Sequence, residues 1–479
     1  MNFVSTRGGK EAVKGTVAVI KGLADNGGLY TPASLPKIDL KKMLKMSYMD
    51  ICAEILCIFF PELSNDAIIH IVNGYNRKFE GEIVSIATYG SRSFLELYHG
   101  PTASFKDMAL TLLPEILKES YKIEDKNERI LVLTATSGDT GSAAMEGFSG
   151  VDNTDIVVFY PNDGISIVQM AQMESANKGN AHVFAVRGNF DDAQRAVKMA
   201  FSDVELNEIS RKNSINITSA NSINVGRLIS QIGYYFYSYY SLLRSGVIKY
   251  EDKIDVSVPT GNFGNILAGI FAKQMGLPID NFICASNAND VLTQFIKTRR
   301  YVSDKTFHKT LSPSMDILVS SNLERFLFLT SRGNGEMVRA AYDNLQSCGE
   351  FEWGEELPEY IHGVSVNDEE TLATILEVYN EKKYLIDPHT AVAYKASNIS
   401  DKHCLIISTA SPYKFPKAVL SAIGGGRKYE SEIEELQAIE ELSKTKIPNC
   451  IFSKLDYTSP KEIIDKDKII NKIKEIMEK

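Results

Sequence analysis

Lys106 stands in the run His99-Gly-Pro-Thr-Ala-Ser-Phe-Lys-Asp107, at the expected start of a helix running toward Glu119. A cation there opposes the helix dipole. That lowers the amine pKa and favours the free base that a Schiff-base lysine needs. A solvated surface lysine is the plainer alternative. Gly261-Asn262-Phe263-Gly264-Asn265 follows one apolar run and precedes a helical one. Glycines let the backbone approach an anion, and a helix start offers free N–H groups. The pattern is neither the P-loop nor the dinucleotide fingerprint, so an ordinary strand-to-helix turn stays open. Ser137-Gly138-Asp139-Thr140-Gly141 is a second such turn, suited to a carboxylate, to a phosphate, or simply to capping a helix. In Asn221-Ser222-Ile223-Asn224-Val225-Gly226-Arg227, amides, a hydroxyl and a guanidinium form a set that can grip a phosphate ester. The alternative is a helix start with a surface arginine. His99 is a lone imidazole, read as packed or solvated. No histidine pair has metal-ligand helical spacing, so no metal is expected.

These residues need a frame. Ile130–Thr134, Ile156–Tyr160, His182–Val186, Asp255–Val258, Phe282–Ala285 and Cys404–Ser408 read as short buried strands, alternating with glycine turns and helical stretches. That order predicts an α/β fold of mostly parallel sheet covered by helices on both faces. Ligands in such folds sit beyond the carboxyl ends of the strands. The turns after Thr134, Val258 and Ser408 are therefore the places to look. Residues 1–95 read as a mostly helical N-terminal region, 96–250 as a first α/β lobe and 251–425 as a second. Residues 426–479 read as an exposed helical tail. The aromatic run Tyr234 to Tyr240 reads as helix core or subunit interface.

The chain has 479 residues, enough for two to four domains. With 52 basic against 61 acidic residues its net charge is −9, which argues against a duplex-binding protein. Six cysteines stand far apart with no CxxC pair, as in a reduced, cytoplasmic protein. No signal peptide and no run of 18 apolar residues is evident, so no membrane partner is expected.

Taken together the motifs resemble the threonine synthase family, pyridoxal-phosphate enzymes of fold type II, related to the tryptophan synthase β chain. The resemblance runs from Val4-Ser-Thr-Arg-Gly8 and Leu23–Tyr30 to Ser408-Thr-Ala-Ser-Pro-Tyr-Lys-Phe415, most of the chain. It includes the segment around Lys106, Leu133–Gly141, Ser219–Asn224, Val258–Gly264 and Asp387-Pro-His-Thr-Ala-Val-Ala-Tyr394. It implies two open α/β lobes and conversion of O-phospho-L-homoserine and water to L-threonine and phosphate, the last step of threonine biosynthesis. It also implies that Lys106 is the Schiff-base lysine, and that Gly261, Asn262, Phe263, Gly264 and Asn265 cradle the phosphate of pyridoxal 5'-phosphate. Asp139 would lie near the cofactor's 3′-oxygen and Thr409 would face its ring nitrogen. Ser137, Gly138 and Thr140 would bind the substrate carboxylate. Asn221, Ser222, Asn224 and Arg227 would bind the substrate phosphate. One departure is Ser314, in Ser312-Pro-Ser-Met-Asp-Ile317, where the family often has Asn.

Two other readings stand beside this one. A related lyase would release an α-keto acid, ammonia and phosphate from the same substrate type. A catalytically silent protein would keep the fold alone. Monomer and homo-oligomer are both open.

Overall fold

The computed structural model describes residues 1–9, 11–136, 138–162, 165–188, 190–455 and 462–479. Two parallel sheets carry the chain. In the first, the strand order is Ile463–Asp465, Ala181–Arg187, Thr154–Pro161, Arg129–Ala135, Ile215–Ser219, with every pair parallel. Such strands are covered on both faces, so they read as continuous apolar runs. Ile156–Tyr160 is buried at every position.

The second sheet runs Ile361–Ser365, Ile279–Ser286, Ile254–Pro259, Cys404–Ser408, Arg92–Glu96, Ser85–Tyr89. All of its pairs are parallel except the last, a hairpin. Sheet membership thus crosses the expected limits. Two strands from before residue 97 complete the second sheet. A strand from the tail completes the first. The N-terminal region also carries a small antiparallel sheet, Val13–Lys14, Asn2–Ser5 and Tyr30–Pro32, beside its helices.

The tail differs from the exposed helix expected of it. In helix Ile469–Met477, Ile469, Ile473, Ile476 and Met477 are buried against the first sheet. Their spacing is one helical stripe, hidden in a Lys- and Glu-rich composition. Helix Tyr48–Phe59 shows the same logic near the front. Ser47 and Asp50 close a capping box at its start. Ile51, Ile55 and Phe59 then form one buried stripe, each contributing about 1.5–3 kcal/mol on burial. This helix packs on Ile232–Arg244, which contains the aromatic run; Tyr234, Tyr235, Tyr239 and Tyr240 are core.

The register of the second sheet builds the site. Leu405 lies beside Ser93 and Ser408 beside Glu96, so both strands end together. The chains continue in contact, with the Phe105 amide donating to the Thr409 carbonyl at 2.8 Å and Ser104 bridging Ala410. Lys106 and Thr409, far apart in sequence, are therefore neighbours. Ile254–Pro259 flanks the same strand on its other side and delivers Gly261–Asn265 to the same edge.

Candidate active site

Lys106 is the first residue of the short helix Lys106–Leu110 and is nearly buried. Its Nζ lies 3.4 Å from Oδ2 of Asp139, which opens helix Asp139–Phe148 on the first lobe. Burial pushes the amine below its ordinary pKa, against the pull of Asp139 and with help from the cations Lys414 and Arg227. Desolvation, rather than the helix dipole the sequence suggests, is the main cause.

Asp139 is buried and fully engaged. Oδ1 accepts from Gln169 at 2.9 Å and pairs with Lys414 Nζ at 2.7 Å; Oδ2 accepts from the Ser314 hydroxyl at 2.9 Å. Burial alone would raise this carboxyl, but Lys414 and Lys106 hold it well below the usual range. Behind it, Gly138 sits at φ 138°, and a Cβ there would meet Gln169 at 2.5 Å. Only glycine serves at such a backbone angle and approach. Thr140 is partly exposed in the first turn of the same helix. Ser137 lies outside the described residues.

Ser314 is held from behind. Its backbone N–H donates to Nε2 of His389 at 3.1 Å, and Nδ1 of His389 meets Oδ2 of Asp387 at 2.6 Å. The carboxylate fixes the proton on Nδ1, which leaves Nε2 as acceptor. Asp387 also caps helix Pro388–Ala396. A buried chain Asp387–His389–Ser314–Asp139 results.

The glycine turn lies opposite. Phe263, at φ 61°, is the non-glycine residue that turns the backbone into helix Gly264–Gln274. Such a conformation carries strain and marks functional turns. Neighbouring side chains hold the carbonyls: Ser320 donates to Gly261 O at 2.8 Å and Asn322 to Asn262 O at 3.0 Å. The Asn262 side chain accepts from the Ser321 hydroxyl. The first N–H groups of the helix have no intrahelical partner. Asn265 supplies a sharper sign. Its Oδ1 accepts from the hydroxyls of Tyr234 and Tyr235, at 2.9 and 2.7 Å, which turns Nδ2 away. Nδ2 is buried without a hydrogen-bond partner among the described residues. An orphaned buried donor beside a helix start fits a bound phosphate. Thr409 is buried next to Phe105, whose amide donates to its carbonyl.

Arg227, on helix Val225–Ile229, is a second orphan. Nη1 donates to the Ala220 carbonyl at 2.9 Å, while Nε is buried without a partner. Burial lowers its pKa to about 10. It faces Lys106 closely enough to depress it. Ser222 meets the Ser321 hydroxyl at 3.0 Å, and Asn221 is partly exposed. Asn224 differs in kind: its Oδ1 caps the helix at Gly226 N and its Nδ2 donates to Val19 O. Both ends of that amide are used in holding the loop. His99 pairs with Glu96 and Ser85, a packed histidine.

Sequence reasoning assigned no role to Lys414, Gln169, His389 or Asp387. Lys414, His389 and Asp387 stand inside segments that carried the resemblance, which was the available signal. Gln169 had none. Among the described residues no cluster suits a metal ion, and no helix is long and apolar enough to cross a membrane.

Comparisons with known proteins show the family. The family described as pyridoxal-phosphate dependent enzyme matches residues 93–409. Threonine synthase N terminus matches 2–74, and threonine synthase, C-terminal, matches 390–449. The threonine synthase of Pseudomonas aeruginosa is 37% identical over 94% of this chain and 96% of its own length. Human threonine synthase-like 1 is 38% identical over 85% of this chain, which spans 57% of that relative's length. The crystal structure of PLP-bound threonine synthase from Brucella melitensis superposes with a TM-score of 0.86 at 31% identity, covering all of both chains.

Proposed function

Because the chain belongs to the threonine synthase family of pyridoxal-phosphate enzymes, we propose that it converts O-phospho-L-homoserine and water to L-threonine and phosphate. The observation that carries this is the nearly buried Lys106 set against Asp139, at the strand edge to which the neighbouring strand delivers Asn265 with its orphaned amide. The residues fit the cofactor. Lys106 would hold it covalently, and Gly261 to Asn265 would take its phosphate on free N–H groups and Nδ2. Thr409 would face its ring nitrogen. When bound, pyridoxal phosphate supplies an electron sink for negative charge at the substrate's α-carbon.

Once released, Lys106 works as proton carrier. Its Nζ carries one proton at a time: it takes the Cα proton and passes it to the phosphate group, then takes one from Cβ as hydrogen phosphate leaves Cγ with the C–O bond electrons. One proton returns to Cγ, making the methyl group. Water then adds its hydroxyl at Cβ, and Nζ carries its remaining proton to Cα. A lysine held below its ordinary pKa suits this exchange. Asp139 stays ionised beside it. The turn at Ser137, Gly138 and Thr140 would take the substrate carboxylate. Arg227, with Asn221 and Ser222, would take the leaving phosphate; its free Nε is the donor in waiting. Asn224 would shape that pocket from behind. The scattered free cysteines support a cytoplasmic setting.

The test is product analysis on cofactor-loaded protein given O-phospho-L-homoserine. Threonine equal to phosphate supports the synthase. Keto acid and ammonia equal to phosphate would make it a lyase. No phosphate release would refute both.

A further inference from the structure

We propose that Lys414 is a positioning residue: its ammonium holds Asp139 as an anion and so makes the unprotonated form of Lys106 the electrically balanced one. Lys414 ends the short turn Pro412–Lys414 and is completely buried. Nζ reaches Oδ1 of Asp139 and the carbonyl of Thr102, each at 2.7 Å. Neither contact touches solvent, and neither is explained by Lys106 alone.

The reason lies in counting charge. Lys106 must lose its proton to hold a cofactor and again to act as a base. If Asp139 faced Lys106 alone, each loss would leave a buried carboxylate without a cation. Such an anion is strongly disfavoured, so the lysine would keep its proton. With Lys414 on the other oxygen, Asp139 and Lys414 remain a neutral pair after Lys106 has lost its charge. The three groups then carry a net positive charge only while Lys106 is protonated.

Other groups facing the cluster work in the same direction or stand back from it. Arg227 adds a cation on the Lys106 side. Asp107 lies behind Thr102, whose N–H and hydroxyl it accepts at 2.9 and 2.7 Å, and faces Lys414 from there. Glu146 faces Asp107, and the Cys450 thiol faces both Asp107 and Lys414. His389 and Asp387 reach Asp139 only through Ser314. The downward displacement of Lys106, with Lys414 among its causes, agrees with the arrangement.

The inference rests on Lys106 being the cofactor-bearing amine, but its test does not use turnover. The full chain stripped of cofactor is labelled with trace acetic anhydride across a pH series. Mass spectrometry reads the Lys106 peptide against surface lysines as internal standards. Lys414→Met, uncharged and close in volume, is expected to raise the Lys106 midpoint by about one pH unit or more. At pH 7 that slows labelling at least about tenfold. Lys414→Arg keeps the charge and is expected to stay within about threefold of the parent. A merely structural Lys414 would loosen the site and speed the labelling. Lys414→Met labelling at the parental rate or faster would overturn the proposal. Should that variant fail to fold, Asp139→Asn decides. Lys106 then faces only Lys414 and Arg227, and its labelling at pH 7 must rise about tenfold. An unchanged or slower rate sinks the idea. Failure to make threonine would count against the proposed function and leave both labelling results standing.

Discussion

Asp387→Asn tests whether the buried chain behind Ser314 is built as the distances imply. Asp387 is completely buried and accepts four hydrogen bonds. Oδ1 takes the Thr390 amide and hydroxyl; Oδ2 takes the His389 amide at 3.0 Å and Nδ1 at 2.6 Å. Asparagine has nearly the same shape. Its oxygen can keep the Thr390 side, and the helix cap with it. Its NH2 then faces two N–H donors. The imidazole escapes by moving its proton to Nε2, where it meets the Ser314 N–H. Two backbone N–H groups, of His389 and Ser314, lose their acceptors inside the protein. Each orphan costs about 1–3 kcal/mol, so the substitution should cost about 2–6 kcal/mol. The local readout is hydrogen exchange on helix Pro388–Ala396, which reports the opening of that helix. Exchange there should speed up about thirtyfold or more, at 1.4 kcal/mol per factor of ten. Activity should fall too, since Ser314 no longer presents its hydroxyl to Asp139. Exchange within a factor of about three of the parent, less than 1 kcal/mol, would refute the reasoning.

Lys106→Ala should abolish threonine formation while cofactor still binds weakly through Gly261 to Asn265. Equilibrium dialysis and turnover measured together check this, and retained activity would remove the central claim. Gly138→Ala places a Cβ 2.5 Å from Gln169 at a backbone angle that side chains avoid. It should cost about 1–3 kcal/mol and shift Asp139, seen as a lower urea midpoint with reduced activity; an unchanged midpoint would contradict the geometry. Gly261→Val sets branches where even a Cβ lies 3.0 Å from the Ser314 carbonyl. Cofactor affinity should drop at least about tenfold, since backbone approach is what the turn provides. Asp107 is pushed up to about 6 by burial, from 3.8. Its neutral form is favoured on folding, so its contribution is fully present below pH 3.8 and is lost as pH rises through about 6. The urea midpoint of Asp107→Asn should lack that decline between pH 4 and 7, and parallel profiles would show the shift to be absent.

Much of this was legible in the sequence because it is local. Apolar runs of four or five residues, cut by glycine turns, specify strands buried on both faces and helices between them. Motif order points to the segment around Lys106 and to the turn Gly261–Asn265 as the candidate site. The carboxyl ends of strands then said where to look. What local pattern could not carry is strand neighbourhood. Cys404–Ser408 lies between Ile254–Pro259 and Arg92–Glu96, and that order alone brings Lys106, Thr409 and Gly261 to one edge. The tail misled for a related reason: its buried isoleucines have meaning only beside a sheet formed some 300 residues earlier. The partners of Asp139 were decided entirely in three dimensions. Lys414, Gln169 and Ser314 come from three separate elements, and only packing brings them around one buried carboxylate. Charge in a buried site is compensated by whatever lies within a few ångströms, and a sequence does not record that distance.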